Sequence, residues 1–185
     1  MNGPGPARTT GAGSAAARSP WAACPLYAIA LGIMALDQAS KLAIVQAMRV
    51  GQTISLVPDF FDIAFVMNPG AAFGIMASRS SSFRSPFFML VSVLAIGLIV
   101  FYYHRYLHEP TRLPPAALGL ILGGAVGNLI DRMRFGMVID FLDFHVGGYH
   151  WPAFNVADAA ISIGVGLMLL RMLNEWRQDK APIAG

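Results

Sequence analysis

The chain has 185 residues, 56% of them hydrophobic and 12% charged, with a mean hydropathy of +0.57, against roughly 25% charged in an ordinary soluble domain. A chain this apolar cannot cover itself with polar side chains, so a soluble globular fold is excluded and lipid is the solvent for much of it. The formal charge of +3 is scattered rather than gathered in a stripe, which argues against nucleic acid as a partner, and one cysteine with four histidines at no metal-site spacing gives no sign of a disulfide, a metal or another cofactor.

Residues 1–20 are mostly Gly, Pro, Ala and Ser, too polar and too small to pack, so residues 1–22 are expected to be a disordered tail. The apolar stretch at Cys24 follows the cysteine instead of preceding it, the wrong order for a lipidation site, and Cys24 is expected to be a membrane-embedded thiol. Four stretches approach the roughly 20 residues that span a bilayer as helix: Pro25 to about Ala47, Pro86 to Tyr103, Leu113 to Ile130, and Ala153 to Leu170. Gly119, Gly123 and Gly127 recur every fourth residue on the third, a face against which another helix can approach closely. Between the first two spans, Gln52 to Val57 and Phe60 to Val66 read as strands around a Pro58-Asp59 turn, with Asn68-Pro69-Gly70 as the next turn. Phe60, Phe61, Phe65 and Phe73 are then available to dip into the membrane interface. The predicted fold is an α-helical polytopic membrane protein: four transmembrane helices with a small antiparallel β-sheet at the outer surface between helices 1 and 2. The membrane domain spans 23–175, with a second tail at 176–185.

Four spans place both termini on one side. Arg8, Arg18, Arg105, Arg112, Arg171, Arg177 and Lys180 fall on the terminal side, and the six remaining basic residues on the other, a bias toward cytoplasmic termini.

Ionisable residues in hydrocarbon cost several kcal/mol unless paired or hydrated, which makes them functional candidates. Here they gather at one end of the spans. Asp37 and Lys41, four apart on the first helix, can neutralise each other as a structural pair. Asn128, Asp131 and Arg132 share a face at the end of the third span, where Asp131 with Arg132 can lock the helix end and Asn128 can serve a substrate backbone. In the connection that follows, an extended chain points Asp140 and Asp143 to opposite faces, so at most one of them meets a site. Asn155 and Asp158 stand three apart at the start of the last span, and Asp158 has no basic neighbour within a helical turn. Two carboxylates in a low-dielectric site share a proton, one serving as base on water and the other as acid on a carbonyl oxygen. That is aspartic-protease chemistry, and the same pair also suits a small proton- or cation-coupled transporter. A third reading, a non-catalytic assembly subunit with the glycine stripe as its interface, leaves Asp158 unexplained. No serine elbow or phosphate loop is present.

Five blocks in order resemble the bacterial lipoprotein signal peptidases, signal peptidase II. They are Asp37-Gln38-Ala39-Ser40-Lys41, Asn68 to Gly74, Gly123 to Arg132, Val138-Ile139-Asp140-Phe141, and Phe154 to Ala160. Together they cover about residues 25 to 173, with Ala159 where many members have serine. The resemblance implies a membrane aspartyl endopeptidase, a target of globomycin, that cuts diacylglyceryl-modified prolipoprotein on the N-terminal side of the lipidated cysteine. It implies Asp140 and Asp158 as the catalytic dyad. It places Asn68, Gly70, Asn128, Arg132 and Asn155 around substrate or inhibitor, and leaves Asp37, Lys41 and Asp131 as structural polar residues. The expected setting is the bacterial inner membrane, with the site near the outer face. Its partners are the prolipoprotein and membrane lipid, with no cofactor and no obligate protein partner, and the protein is expected to be a monomer. Positions suggest that the three asparagines compensate backbone groups freed when a substrate helix unwinds, that the sheet from Gln52 to Gly74 is a cradle, and that Phe141 and Phe144 belong to a flap.

Overall fold

In the computed structural model, residues 24–70, 81–106 and 113–180 are described. Four helices carry the chain back and forth: α1 (Cys24–Ala47), α2 (Ser81–Arg105), α3 (Pro115–Phe135) and α4 (Val156–Asp179). Each is long and apolar enough to cross a membrane. The predicted spans match in order: α1 ends as predicted, α2 and α3 overrun at the polar end, and α4 starts later than Ala153 and overruns at the far end. α2 begins at Ser81, upstream of the predicted Pro86, and so runs through a proline that lacks the N–H of an ordinary helix-interior residue. α4 continues past Leu170 to Asp179, where polar residues succeed lipid-facing ones on a helix that remains intact.

Helix α3 is the central element. Over half of its apolar window (56%) is buried inside the protein, against 11%, 0% and 17% for α1, α2 and α4. The glycine stripe explains this. Gly119, Gly123 and Gly127 lie against Leu26, Ile29, Ala30, Ile33 and Asp37 of α1, so the predicted small-residue face is used within the chain. A Cβ at Gly127 would collide with the Asp37 carboxylate, so the close approach at this level requires glycine. Leu26, Ala30, Tyr103, Leu118 and Leu122 form the apolar core away from the polar end, while Leu31, Leu98, Phe101 and Leu170 face outward to lipid.

The strands β1 (Thr53–Val57), β2 (Phe61–Asn68), β3 (Val138–Val146) and β4 (Tyr149–His150) form one antiparallel sheet in that order. The sheet predicted between the first two helices is present, and the connection between α3 and α4 adds its other two strands. Alternation of four spans brings the end of α1, the start of α2, the end of α3 and the start of α4 to the same side, where the sheet closes over them. Met48, Phe65, Ile139 and Phe141 make a second small core between sheet and helices.

That core corrects two expectations. Phe65 is buried instead of free to enter the membrane interface, and Phe141 is packed instead of poised as a flap. Phe144 is exposed, with its ring 4.5 Å from that of Phe61 and stacked on Phe154 at 5.9 Å. Strand pairing accounts for the packing of Phe141, since β3 is paired with β2 over most of its length. Phe73, the 71–74 part of the expected cradle, and the tail 1–22 lie outside the described residues.

Candidate active site

The contact between Asn68 and Asp140 rests on an irregularity in the sheet. Ile63 pairs with Leu142, but the next partners are Val66 and Asp140, so β2 spends three residues where β3 spends two. The extra residue is a β-bulge, and it turns every later β2 side chain to the other face. Asn68, diagonally adjacent to Asp140, thereby reaches it, and its Nδ2 donates to Asp140 Oδ2 at 2.8 Å. Gly70 closes the turn that follows with φ +89°, its N–H donating to Asn68 Oδ1 at 2.9 Å, so that oxygen is spoken for and the amide nitrogen must face Asp140.

Asp158 comes from the first turn of α4. Asn155 is the N-cap, with its Oδ1 accepting from the Asp158 N–H at 2.9 Å, while Asp158 Oδ2 lies 3.4 Å from the Asn155 N–H, a capping box. The Asn155 amide nitrogen consequently faces the other way and donates to Asp140 Oδ1 at 2.7 Å, so one residue caps the helix and joins the two carboxylate sites. Asn128 of α3 donates from Nδ2 to Asp158 Oδ1 at 2.7 Å. Burial first, and the neighbouring Asp158 charge second, push the Asp140 carboxyl up to about 7 against the opposing donations from Asn68 and Asn155.

Behind this pair lies a second polar cluster. Lys41 Nζ is 2.8 Å from Asp37 Oδ2 and 2.7 Å from Asp131 Oδ2, with all three residues buried. Asp37 Oδ1 also accepts from the Ala157 N–H at 3.0 Å, and Asp131 Oδ2 from the Ile139 N–H at 3.2 Å, so the cluster ties α1 and α3 to the start of α4 and to β3. Gln38 bridges it, donating to Asp37 and Asp131. Asp131 was expected to lock the helix end with Arg132; it pairs with Lys41 instead, because adjacent residues on a helix diverge and the α1 ammonium is within reach.

A cavity of about 670 Å³ opens beside the carboxylates, lined by Asn68, Gly70, Phe88, Arg132, Trp151 and Asp158 among others. Asp140, 1% exposed, stands behind its wall against Asn68 and Asn155. The Arg132 guanidinium sits 5.4 Å over the Phe88 ring and reaches the Asn128 carbonyl at 3.5 Å, with no ion pair among the described residues. Of the residues singled out from sequence, Asn68, Gly70, Arg132 and Asp158 share the cavity wall, and Asp140, Asn128 and Asn155 lie just behind it. Asp143 faces away and meets His150 Nδ1 at 3.1 Å, so the alternation argument separates Asp140 from Asp143 correctly. Phe88, Trp151 and Ser162 were missed as wall residues. Ser162 was legible, standing one helical turn beyond Asp158 on the same face; Phe88 is one more apolar residue in an apolar span, and nothing local marks it.

The geometry alone still suits hydrolysis or ion binding. A family model described as signal peptidase (SPase) II matches residues 29–174. The chain belongs to the signal peptidase II family. It is 50% identical over 155 residues to the lipoprotein signal peptidase of Geobacter sulfurreducens, covering 84% of this chain and 94% of that protein. It is 47% identical over 152 residues to the lipoprotein signal peptidase of Syntrophotalea carbinolica, covering 82% and 91%. A solved bacterial membrane enzyme, determined by the in meso method at 2.3 Å, superposes with a TM-score of 0.70 and 29% identity over 86% of this chain and 93% of that one. The protein is therefore a multi-pass membrane peptidase of the family that cleaves signal peptides from prolipoproteins. The proton- or cation-coupled transporter finds no support in these relatives.

Proposed function

We propose that Asp140 and Asp158 are the catalytic dyad, and that the peptidase cuts diacylglyceryl-modified prolipoprotein on the N-terminal side of the lipidated cysteine. The observation that carries this reading is that Asn155 joins two carboxylates at the polar end of the bundle, Asp158 from the first turn of α4 on the wall of a largely apolar cavity and Asp140 from β3 just behind that wall. The dyad holds one shared proton. Its ionised member takes a proton from water as the water oxygen attacks the scissile carbonyl carbon, and its protonated member gives a proton to the carbonyl oxygen. Collapse of the tetrahedral diol breaks the C–N bond and delivers a proton to the leaving amine.

Asn68, Gly70 and Arg132 meet the substrate from the cavity wall, where the guanidinium has donors to spare for peptide or ester carbonyls. Asn128 and Asn155 reach it through the aspartates they hold. The enzyme works as a monomer, since the glycine stripe that would serve a partner helix is already filled by α1. It sits in the bacterial inner membrane with the tails 1–22 and 176–185 in the cytoplasm and the sheet and dyad near the outer face, as the excess of basic residues on the terminal side favours.

The test is cleavage of a diacylglyceryl-modified prolipoprotein by purified protein in lipid. Asp140→Asn and Asp158→Asn each abolish cleavage while thermal unfolding stays cooperative, and Asp143→Asn cleaves normally. Retained cleavage in either of the first two ends the dyad reading.

A further inference from the structure

The orientation of Asn128 is the least explained feature of the site. A side-chain amide is nearly symmetric in shape, and only its neighbours decide which end is oxygen and which is nitrogen. Two neighbours face one end of the Asn128 amide: Lys41 Nζ at 3.1 Å and Asn155 Nδ2 at 3.2 Å. The ammonium has three donors and no acceptor, and its three contacts are Asp37, Asp131 and this amide. Asn155 is held nitrogen-inward by its own helix cap. The Asn128 oxygen must therefore point at Lys41, and its nitrogen at Asp158 Oδ1. Reversal would set nitrogen against two donors and oxygen against a carboxylate.

We propose that Lys41 is a positioning residue for the dyad, acting through Asn128: the buried ammonium locks the amide so that Asn128 presents an N–H to Asp158. The inference rests on the dyad reading above. Lys41 is 2% exposed and absent from the cavity wall, so it does not touch substrate. Two carboxylates already neutralise its charge, so what passes along the chain Lys41, Asn128, Asp158 is chiefly direction: a donor-only group on one side of an amide makes a donor on the other. A lysine expected only to pair with Asp37 thus connects the structural cluster to the reacting groups.

The test is a double-mutant cycle with pH–rate profiles. The variant Lys41→Met/Asp131→Asn removes the cation together with one carboxylate, leaving the net charge of the cluster unchanged. It is expected to lower kcat by about tenfold to a hundredfold with little change in KM, and to move the acid limb of kcat/KM upward by about one pH unit. In an Asn128→Ala background the same two substitutions change kcat by less than about twofold and leave the limb in place, because the intermediary is gone. Losses that multiply in both backgrounds with an unmoved limb mean a purely structural lysine and overturn the proposal. If the double variant does not fold, Lys41→Arg decides: a donor-only cation keeps the wild-type limb even where kcat drops, and a shifted limb overturns the proposal. Asp158→Asn separates the two claims. Retained cleavage there ends the dyad reading, whereas loss of cleavage with a multiplicative cycle ends only this one.

Discussion

Two carboxylate pairs lie side by side in this protein, and they differ in what stands between them. Asp37 and Asp131 share the Lys41 ammonium at 2.8 and 2.7 Å. Asp140 and Asp158 are held by the neutral amides of Asn68, Asn128 and Asn155. A full cation between carboxylates pairs with both and cross-links the elements that carry them. Amides hold carboxylates in place without committing their charge, so that pair can carry a proton back and forth. On the proposed dyad reading, the same residue type is mortar in one cluster and reagent in the other, and the difference lies in the partners.

Substitutions that remove one carboxylate sharpen this contrast most. Asp140→Asn and Asp158→Asn are expected to lower cleavage about a thousandfold or more while leaving the fold largely intact. Prolipoprotein cleavage measured beside thermal unfolding checks both halves. Lys41→Met is the converse, because it leaves two buried carboxylates without their cation. Its expected cost is about 3 to 5 kcal/mol of stability, read as a loss of folded protein or a large drop in Tm in detergent. If Lys41→Met unfolds at wild-type temperature, the cation is not what holds this cluster.

A smaller effect is the pH dependence of stability. The folded protein keeps a proton on Asp140 up to about pH 7 that the unfolded chain releases at ordinary carboxylate values. Stability from this group is therefore greatest at low pH, declines as pH rises toward 7, and is flat above it, a change of a few kcal/mol at most. Asp140→Asn flattens that slope in unfolding curves taken between about pH 4 and 8; an unchanged slope assigns it to another group. The smallest expected effect comes from removing the Asn68 amide. Asn68→Ala leaves Asp140 Oδ2 one donor short and is expected to cost about 1 to 2 kcal/mol in transition-state stabilisation, seen as a lower kcat/KM with little change in Tm.

Much of this was legible in the chain. Hydropathy alone gives four spans, because a helix crossing lipid must be apolar along its whole length. Glycine spacing gives the close helix face, alternation separates Asp140 from Asp143, and the lone Asp158 advertises itself by lacking a local cation. What the chain could not disclose depends on residues far apart in it. The bulge in β2 that turns Asn68 toward Asp140 exists only in the pairing with β3, and one residue of slip reverses every side chain beyond it. The partner of Asp131 is a lysine on another helix, not its neighbour Arg132. Phe141 became core and not flap because β3 joined the sheet. Local periodicity determined the elements and which residues were uncomfortable in lipid; tertiary structure alone decided which carboxylates received a cation and which received amides, because that choice is made by contacts between segments and not within them.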